Sequence, residues 1–252
     1  MLAAERRDHL LATLRRDGKI VAKTAAAELG LSEDSIRRDL RELAAEGLCQ
    51  RVYGGALPVS PALADYDGRQ GVEVAGKRLV AAAAVRLIDP GSTVVLDGGT
   101  TALAVASLLP EALRCTVITH SPTVAAALVE HPGVDVFILG GRLFKHSAVA
   151  SGAAAVEAAQ RISADVFFLG VTGIHPDAGL TTGDADEAAM KRVLASRAAD
   201  TYVLGSSEKI GAASPYDVIG FDATAGVITD ADPDSDVVRR LGERVRIVGV
   251  RQ

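Results

Sequence analysis

The chain has 252 residues, 48% hydrophobic and 23% charged, with a formal net charge of -5. That is long enough for one large domain or two smaller ones with real cores, and the composition is that of an ordinary globular protein. The acidic balance argues against a protein that coats nucleic acid nonspecifically. No run reaches the roughly 18 consecutive apolar residues of a membrane span, and the charged start MLAAERRDHLL does not resemble a signal peptide, so a cytoplasmic location is expected.

Leu2, Leu10, Leu11 and Leu14 form a helical apolar stripe that Gly18 closes. VAKTAAAELGLS reads as a short Ala-rich helix ending at Gly30. Ser32 is a suitable N-cap for a third helix, EDSIRRDLRELAAEG, with Glu33 and Asp34 where the helix dipole favours acids. Two short helices and a tight turn before a third predict a helix-turn-helix. At about 100° per residue, Ile36, Leu40 and Leu43 share the buried stripe. Arg37, Arg38 and Arg41 fall on the far side, with Asp39 and Glu42 on the other flank. Arginine matches both phosphate and the O6/N7 edge of guanine. A solvated face with i,i+4 ion pairs would show the same residues; the preceding helix and Gly-closed turn favour DNA. Residues 48–53 suit a strand and Gly54-Gly55 a turn, so a winged hairpin is expected, with Arg51 and Tyr53 facing the DNA. A plain connector hairpin is the alternative.

Cys49 and Cys115 stand alone, without CxxC or metal-like spacing. Both read as reduced packing residues, and neither a metal nor a cofactor is expected. Residues 58–75 hold two prolines, two glycines and little periodicity. They are expected to link a DNA-binding domain over 1–57 to an α/β domain over 76–252. In the latter, TVVLD, TVIT, VDVFILGG, ADVFFLG, TYVLGS, AGVITD and RVRIVGV read as short strands alternating with helices. Runs apolar on both faces imply a mostly parallel, helix-covered sheet.

Ligands bind at the carboxyl ends of such strands. Glycines and small hydroxyl residues recur there, the sharpest case being Asp97, Gly98, Gly99, Thr100 and Thr101. Two glycines admit a close backbone, and two hydroxyls with a helix N-terminus suit a single phosphate group. The loop has neither the GK[ST] ending of a Walker A loop nor the GxGxxG pattern.

Ser32, Ile36, Arg37, Arg38, Asp39, Leu40, Gly54, Gly55 and Ala56, in SEDSIRRDLRELAAEG and RVYGGA, give the N-terminal part a resemblance to the DeoR-type bacterial transcription regulators. Ser35 stands where that family has Thr and Tyr53 where it has His. Tyr66, Arg69 and Lys77 fit the family pattern before the second domain. DGGTT and LGG (139–141) resemble its sensor-domain loops; THS has His120 for Asn, and SSEKIG carries Glu208 before Lys209. The resemblance implies a winged helix-turn-helix contacting double-stranded operator DNA through Ser32, Ser35, Arg37, Arg38, Arg41, Arg51, Tyr53, Gly54 and Gly55. It also implies a sensor domain, similar to ribose-5-phosphate isomerase and coenzyme A transferases. That domain would hold a phosphorylated sugar with Asp97, Gly98, Gly99, Thr100, Thr101, His120, Ser121, Gly141, Gly173 and Lys209.

The expectation is a DNA-binding regulator, a repressor of carbohydrate-metabolism genes relieved by a phosphosugar. Because one head reads one half-site, it is expected to act as a homodimer or homotetramer. The alternative is a sugar-phosphate isomerase or transferase, for which Asp97, Glu187 and Glu208 are available bases, though no pattern pairs them. Glu187 also reads as a surface acid pairing with Lys191 at i,i+4. An architectural DNA-binding protein fits the acidic C-terminal domain poorly.

Overall fold

The computed structural model describes residues 2–250. Helix α1 (Ala3–Asp17) is followed by strand β1 (Ile20–Val21), α2 (Ala22–Leu29) and α3 (Glu33–Ala45). Strands β2 (Gln50–Val52) and β3 (Gly55–Leu57) form a hairpin, and β1 adds to it in the antiparallel order β1-β3-β2. Leu10 and Leu14 of α1, Ala25 and Ala26 of α2, and Ile36, Leu40 and Leu43 of α3 close one small core. The stripe expected on α3 is the buried one. Ser32 caps that helix by accepting from the Ser35 backbone N–H. Strand β1 has no periodicity to announce it, being two residues long. Gly55 permits it: a Cβ there would sit 1.7 Å from the Ile20 carbonyl oxygen.

The chain continues through α4 (Tyr66–Gln70), α5 (Val74–Val85), β4 (Thr93–Leu96), α6 (Thr100–Ser107), β5 (Cys115–Thr119), α7 (Pro122–Ala127) and β6 (Val134–Ile138). Then come β7 (Arg142–Phe144), β8 (Val149–Ser151), α8 (Ala153–Ala159), β9 (Ala164–Gly170), β10 (Gly173–His175) and β11 (Gly179–Thr182). The last elements are α9 (Ala185–Ser196), β12 (Ala198–Leu204), β13 (Tyr216–Asp217), β14 (Gly226–Thr229), α10 (Asp236–Gly242) and β15 (Ile247–Gly249).

Seven strands make one sheet in the order β15-β14-β12-β9-β4-β5-β6, every neighbouring pair parallel. They are the seven apolar runs of the sequence. Helices α5, α6 and α7 pack Val80, Val105 and Val124 on one face, while α8, α9 and α10 pack Ala155, Leu194 and Leu241 on the other. Burial on both faces is why these strands read as unbroken apolar runs. The chain lays down β4, β5 and β6 in one direction, then returns to place β9 on the other side of β4. The carboxyl ends of β4 and β9 therefore flank the topological switch point, where a crevice opens.

Three regions depart from expectation. Strand β6 stops at Ile138 rather than running to Gly141, and the chain turns into the β7–β8 hairpin. Strands β10, β11 and β13 form a second, antiparallel sheet. Residues 58–75 are not a featureless linker. They carry a 3-10 turn at Pro61–Leu63 and α4, and are tied down by a Val59–Ala213 bridge and a Tyr66 N–H donated to the His146 carbonyl. Among the described residues no helix is long and apolar enough to cross a membrane.

Candidate functional site

Arg37, Arg38 and Arg41 all lie on the exposed side of α3. Arg37 is partly neutralised, with Glu33 at 2.9 Å and Asp34 at 3.9 Å. Arg38 and Arg41 have no carboxylate partner among the described residues, so the free positive charge of the helix is narrower than its pattern implied. Asp39 is not on a solvated flank. It is buried and held in a fork by Arg6 of α1, with Nη2 donating to Oδ1 at 2.8 Å and Nε to Oδ2. Helix α1 thereby fixes α3, and one acid is withdrawn from the surface that carries the arginines. At the start of α3 the Ser32 and Ser35 hydroxyls meet at 3.0 Å. Arg51 and Tyr53 are exposed on the hairpin, whose tip is Gly54. Gly55 differs from the others: its close approach to Ile20 makes it a packing residue of the wing.

The crevice at the switch point is lined by Gly98, Gly99, Thr100 and Thr101, by Thr172 and Thr182, and by Glu187, Lys191, Glu208 and Lys209. Arg69, Lys77 and Ser147 also line it. Gly99 has φ +99°, which side-chain-bearing residues rarely adopt, and a Cβ on Gly98 would lie 2.0 Å from Val149 Cγ1. Gly99 is also the N-cap of α6 and brings no side chain to cap it. The first N–H groups of that helix are thus left for a ligand.

Asp97 is fully buried behind this loop and saturated. Oδ1 accepts from the Gly98 N–H at 2.8 Å and from His120 Nε2 at 2.8 Å. Oδ2 accepts from the Gly170 N–H at 2.8 Å and from Lys191 Nζ at 2.6 Å. His120 Nδ1 meets the Ala150 carbonyl at 3.0 Å. The ring thus bridges the Asp97 carboxylate and the β8 backbone. Burial pushes the Asp97 carboxyl up, but the Lys191 charge and the His120 hydrogen bond outweigh it and hold the group well below the usual carboxylate range. Asp97 therefore shapes the loop without facing the crevice.

Four more residues expected around the ligand stand off its wall. His120 buttresses Asp97. Ser121 caps α7 by accepting from the Val124 N–H. Gly141 packs against the Ser151 carbonyl and Ala155. Gly173 sits in the β10–β11 ladder, where a Cβ would meet the Ala212 carbonyl at 2.6 Å. Conversely, Glu187 is not a surface acid. It is buried at the crevice, and Lys191 turns to Asp97 instead. Spacing at i,i+4 placed the two on one helix face but not which way that face looks.

Three cations of the crevice have no ion-pair partner among the described residues. Lys209 is buried and donates to the Leu204 carbonyl at 3.0 Å and to Thr101 Oγ1 at 3.2 Å. Burial pushes its pKa down to about 8; Glu208 opposes the shift, while Lys77, Arg69 and Lys191 reinforce it. Lys77 donates to the Arg69 carbonyl at 2.8 Å, and Arg69 Nη2 to the His146 carbonyl at 3.4 Å. Burial lowers both of these as well. Among the described residues, none of Arg69, Lys77 and Lys209 has a carboxylate at ion-pair distance. Glu208 Oε1 accepts from the Ser206 hydroxyl at 2.8 Å, and its Oε2 is buried with no partner among the described residues.

Thr182 lines this crevice, while the preceding Thr181 lines a groove beside the hairpin together with Ser214 and Arg51 to Leu57. Thr172 Oγ1 lies 2.7 Å from Ser214 Oγ, and the Ser214 N–H donates to Thr181 Oγ1 at 2.9 Å.

Residues 6–62 match the DeoR-like helix-turn-helix domain, and residues 72–231 match the DeoR C terminal sensor domain. The chain is 33% identical over 239 residues to the HTH-type transcriptional regulator GlpR of Haloferax volcanii, covering 94% of this chain and 93% of the relative. It is 30% identical to the HTH-type transcriptional repressor GlcR of Bacillus subtilis, covering 96% and 95%. It is 26% identical to the glycerol-3-phosphate regulon repressor of Escherichia coli, covering 96% of each. The head with its arginine-bearing helix, the sensor fold behind it and these relatives agree: the chain belongs to the DeoR family of helix-turn-helix transcriptional regulators.

Proposed function

We propose that this regulator represses carbohydrate-metabolism genes and is released from double-stranded operator DNA by a phosphorylated sugar. In this reading residues 1–57 are the DNA-reading head and 76–252 the sensor, with 58–75 closing the sensor's crevice. The observation that carries it is the group Arg69, Lys77 and Lys209, unneutralised cations gathered over the bare N-terminus of α6. A phosphate is the ligand that this arrangement lacks. Gly98, Gly99, Thr100 and Thr101 cradle it, and Lys209 neutralises it. The E. coli relative, named for a glycerol-3-phosphate regulon, supports the ligand class.

At the DNA, Arg38 and Arg41 enter the major groove from α3, Ser32, Ser35 and Arg37 hold the backbone near its start, and Arg51, Tyr53 and Gly54 follow at the wing. One head reads one half-site, so the active species is a homodimer or homotetramer. The effector acts through its different affinity for two arrangements of the heads, with a coupling of about 1–3 kcal/mol.

Fluorescence anisotropy with the upstream DNA of the protein's own gene, titrated with a panel of sugar phosphates, tests the reading. One sugar phosphate should release the DNA while its unphosphorylated sugar does not. Equal release by both, or by neither across the panel, overturns it.

A further inference from the structure

Strand β6 ends the seven-stranded sheet, and among the described residues nothing pairs with its outer side. Such an edge is a template for another strand, and proteins blunt it with lysine, proline or bulges. This one is not blunted. Its only charge is Asp135, and Val136, Phe137 and Ile138 remain 38%, 55% and 52% exposed. Val129 and Leu143 are exposed on either side of it in sequence, so the stretch 129–143 holds five of the thirteen large apolar side chains left in solvent among the described residues.

The backbone polarity of the edge is defined. The Leu139 N–H donates inward to the Thr119 carbonyl at 2.8 Å. Backbone groups alternate along a strand, so residues 135, 137 and 139 bond to β5. Val136 and Ile138 turn their N–H and C=O outward.

We propose that this edge is the two-fold interface between two copies of the chain. The β6 strands pair antiparallel, so that the sheet runs continuously through both. Of the registers that the outward groups allow, the proposal is the one centred on Phe137: Val136 of each copy exchanges hydrogen bonds with Ile138 of the other. Phe137 then faces Phe137 across the axis as a non-hydrogen-bonded pair. The flanking charges select this occupant. Glu130 precedes the strand and Asp135 is near its amino end, while Arg142 and Lys145 follow it, all exposed. Arg114, near the amino end, is turned onto the Glu111 and Leu113 carbonyls. Antiparallel self-pairing sets the acidic end of each copy against the basic end of the other, which is the self-complementarity a two-fold contact requires. This contact does not depend on the effector.

Cysteine cross-linking of the full chain tests both contact and register. Opposed residues of a non-hydrogen-bonded pair have Cα atoms roughly 4.5 Å apart, within disulfide range. Phe137→Cys should become a covalent dimer under mild oxidation. Asp135→Cys should not, since its opposite is residue 139. The native Cys49 and Cys115 are buried and do not compete. In sedimentation equilibrium, Val136→Pro, which removes an outward N–H, and Phe137→Lys should each halve the wild-type mass with an unchanged circular dichroism spectrum. A monomeric wild type, or wild-type mass in both variants, overturns the proposal. So does failure of Phe137→Cys to cross-link, or equal cross-linking at 135.

Discussion

Lys191 of α9 reaches Asp97 at the end of β4 over 2.6 Å, with both side chains buried. The contact binds a helix from one layer of the domain to the loop that opens the crevice. Asp97→Ala strands Lys191 and His120 together without an anion. Breaking a buried pair by removing one partner costs about 3–5 kcal/mol, so denaturant unfolding of the sensor should show a loss of that size. Asp97→Ala and Lys191→Ala should be strongly non-additive in the double variant. A loss below about 1 kcal/mol for Asp97→Ala, against that range, would remove its role as scaffold.

Lys209 predicts a pH dependence. Its folded-state pKa, about 8, lies below the ordinary lysine value. The unfolded chain thus binds this proton more tightly. The resulting penalty to the fold is full below about pH 8 and fades as pH rises toward the ordinary value. A bound phosphate reverses the shift. Effector binding should therefore take up a proton above about pH 8, and affinity should fall as pH rises through that range. Calorimetry in two buffers of different ionisation heat measures the uptake. Lys209→Met should abolish it, weaken the effector at least about tenfold, or 1.4 kcal/mol, and raise the melting temperature of the ligand-free protein. An unchanged proton uptake in Lys209→Met would assign the proton elsewhere.

At the DNA the three arginines of α3 should separate. Arg38→Ala should cost about 1–3 kcal/mol of operator binding and relax specificity, while Arg37→Ala, already paired with Glu33, should cost less. Arg51→Ala on the wing should weaken all sequences alike and reduce the salt slope by about 1. Anisotropy titrations over a salt series distinguish these outcomes; equal effects of Arg37→Ala and Arg38→Ala would contradict the ordering.

Asp39→Ala should act on the fold of the head rather than on DNA contact. Arg6 loses its fork, and since that guanidinium retains some solvent the destabilisation should be about 2–3 kcal/mol, below the fully buried range. The DNA-binding loss should then be recovered at lower temperature. Loss of binding without any change in the melting of the head would instead make Asp39 a contact residue.

Legibility followed the physics of each element. The seven strands of the main sheet are apolar on both faces and declare themselves. The β10–β11–β13 sheet is short, Gly- and Thr-rich and carries no such run. Ser32 as cap and Ile36, Leu40 and Leu43 as core follow from local rules, which need only a few neighbouring residues. Asp39 does not, because its partner Arg6 lies 33 positions away on another helix. The crevice divides in the same way. Thr100, Thr101 and Lys209 could be read from their loops. The roles of Asp97 and His120 as buttress, and of Lys191 as counter-ion, depend on contacts between strands and helices far apart in the chain.

Strand β11 has a consequence for how a signal would leave the crevice. Thr182 touches one chamber and Thr181 the other, because successive side chains of a strand point to opposite faces. The crevice and the groove beside the hairpin are thus separated by a partition one backbone thick. Thr181 receives the Ser214 N–H, and Ser214 in turn meets Thr172 on the crevice side. A ligand that displaces Thr182 in the crevice should therefore reshape the groove beside the hairpin directly, through the one strand that both share.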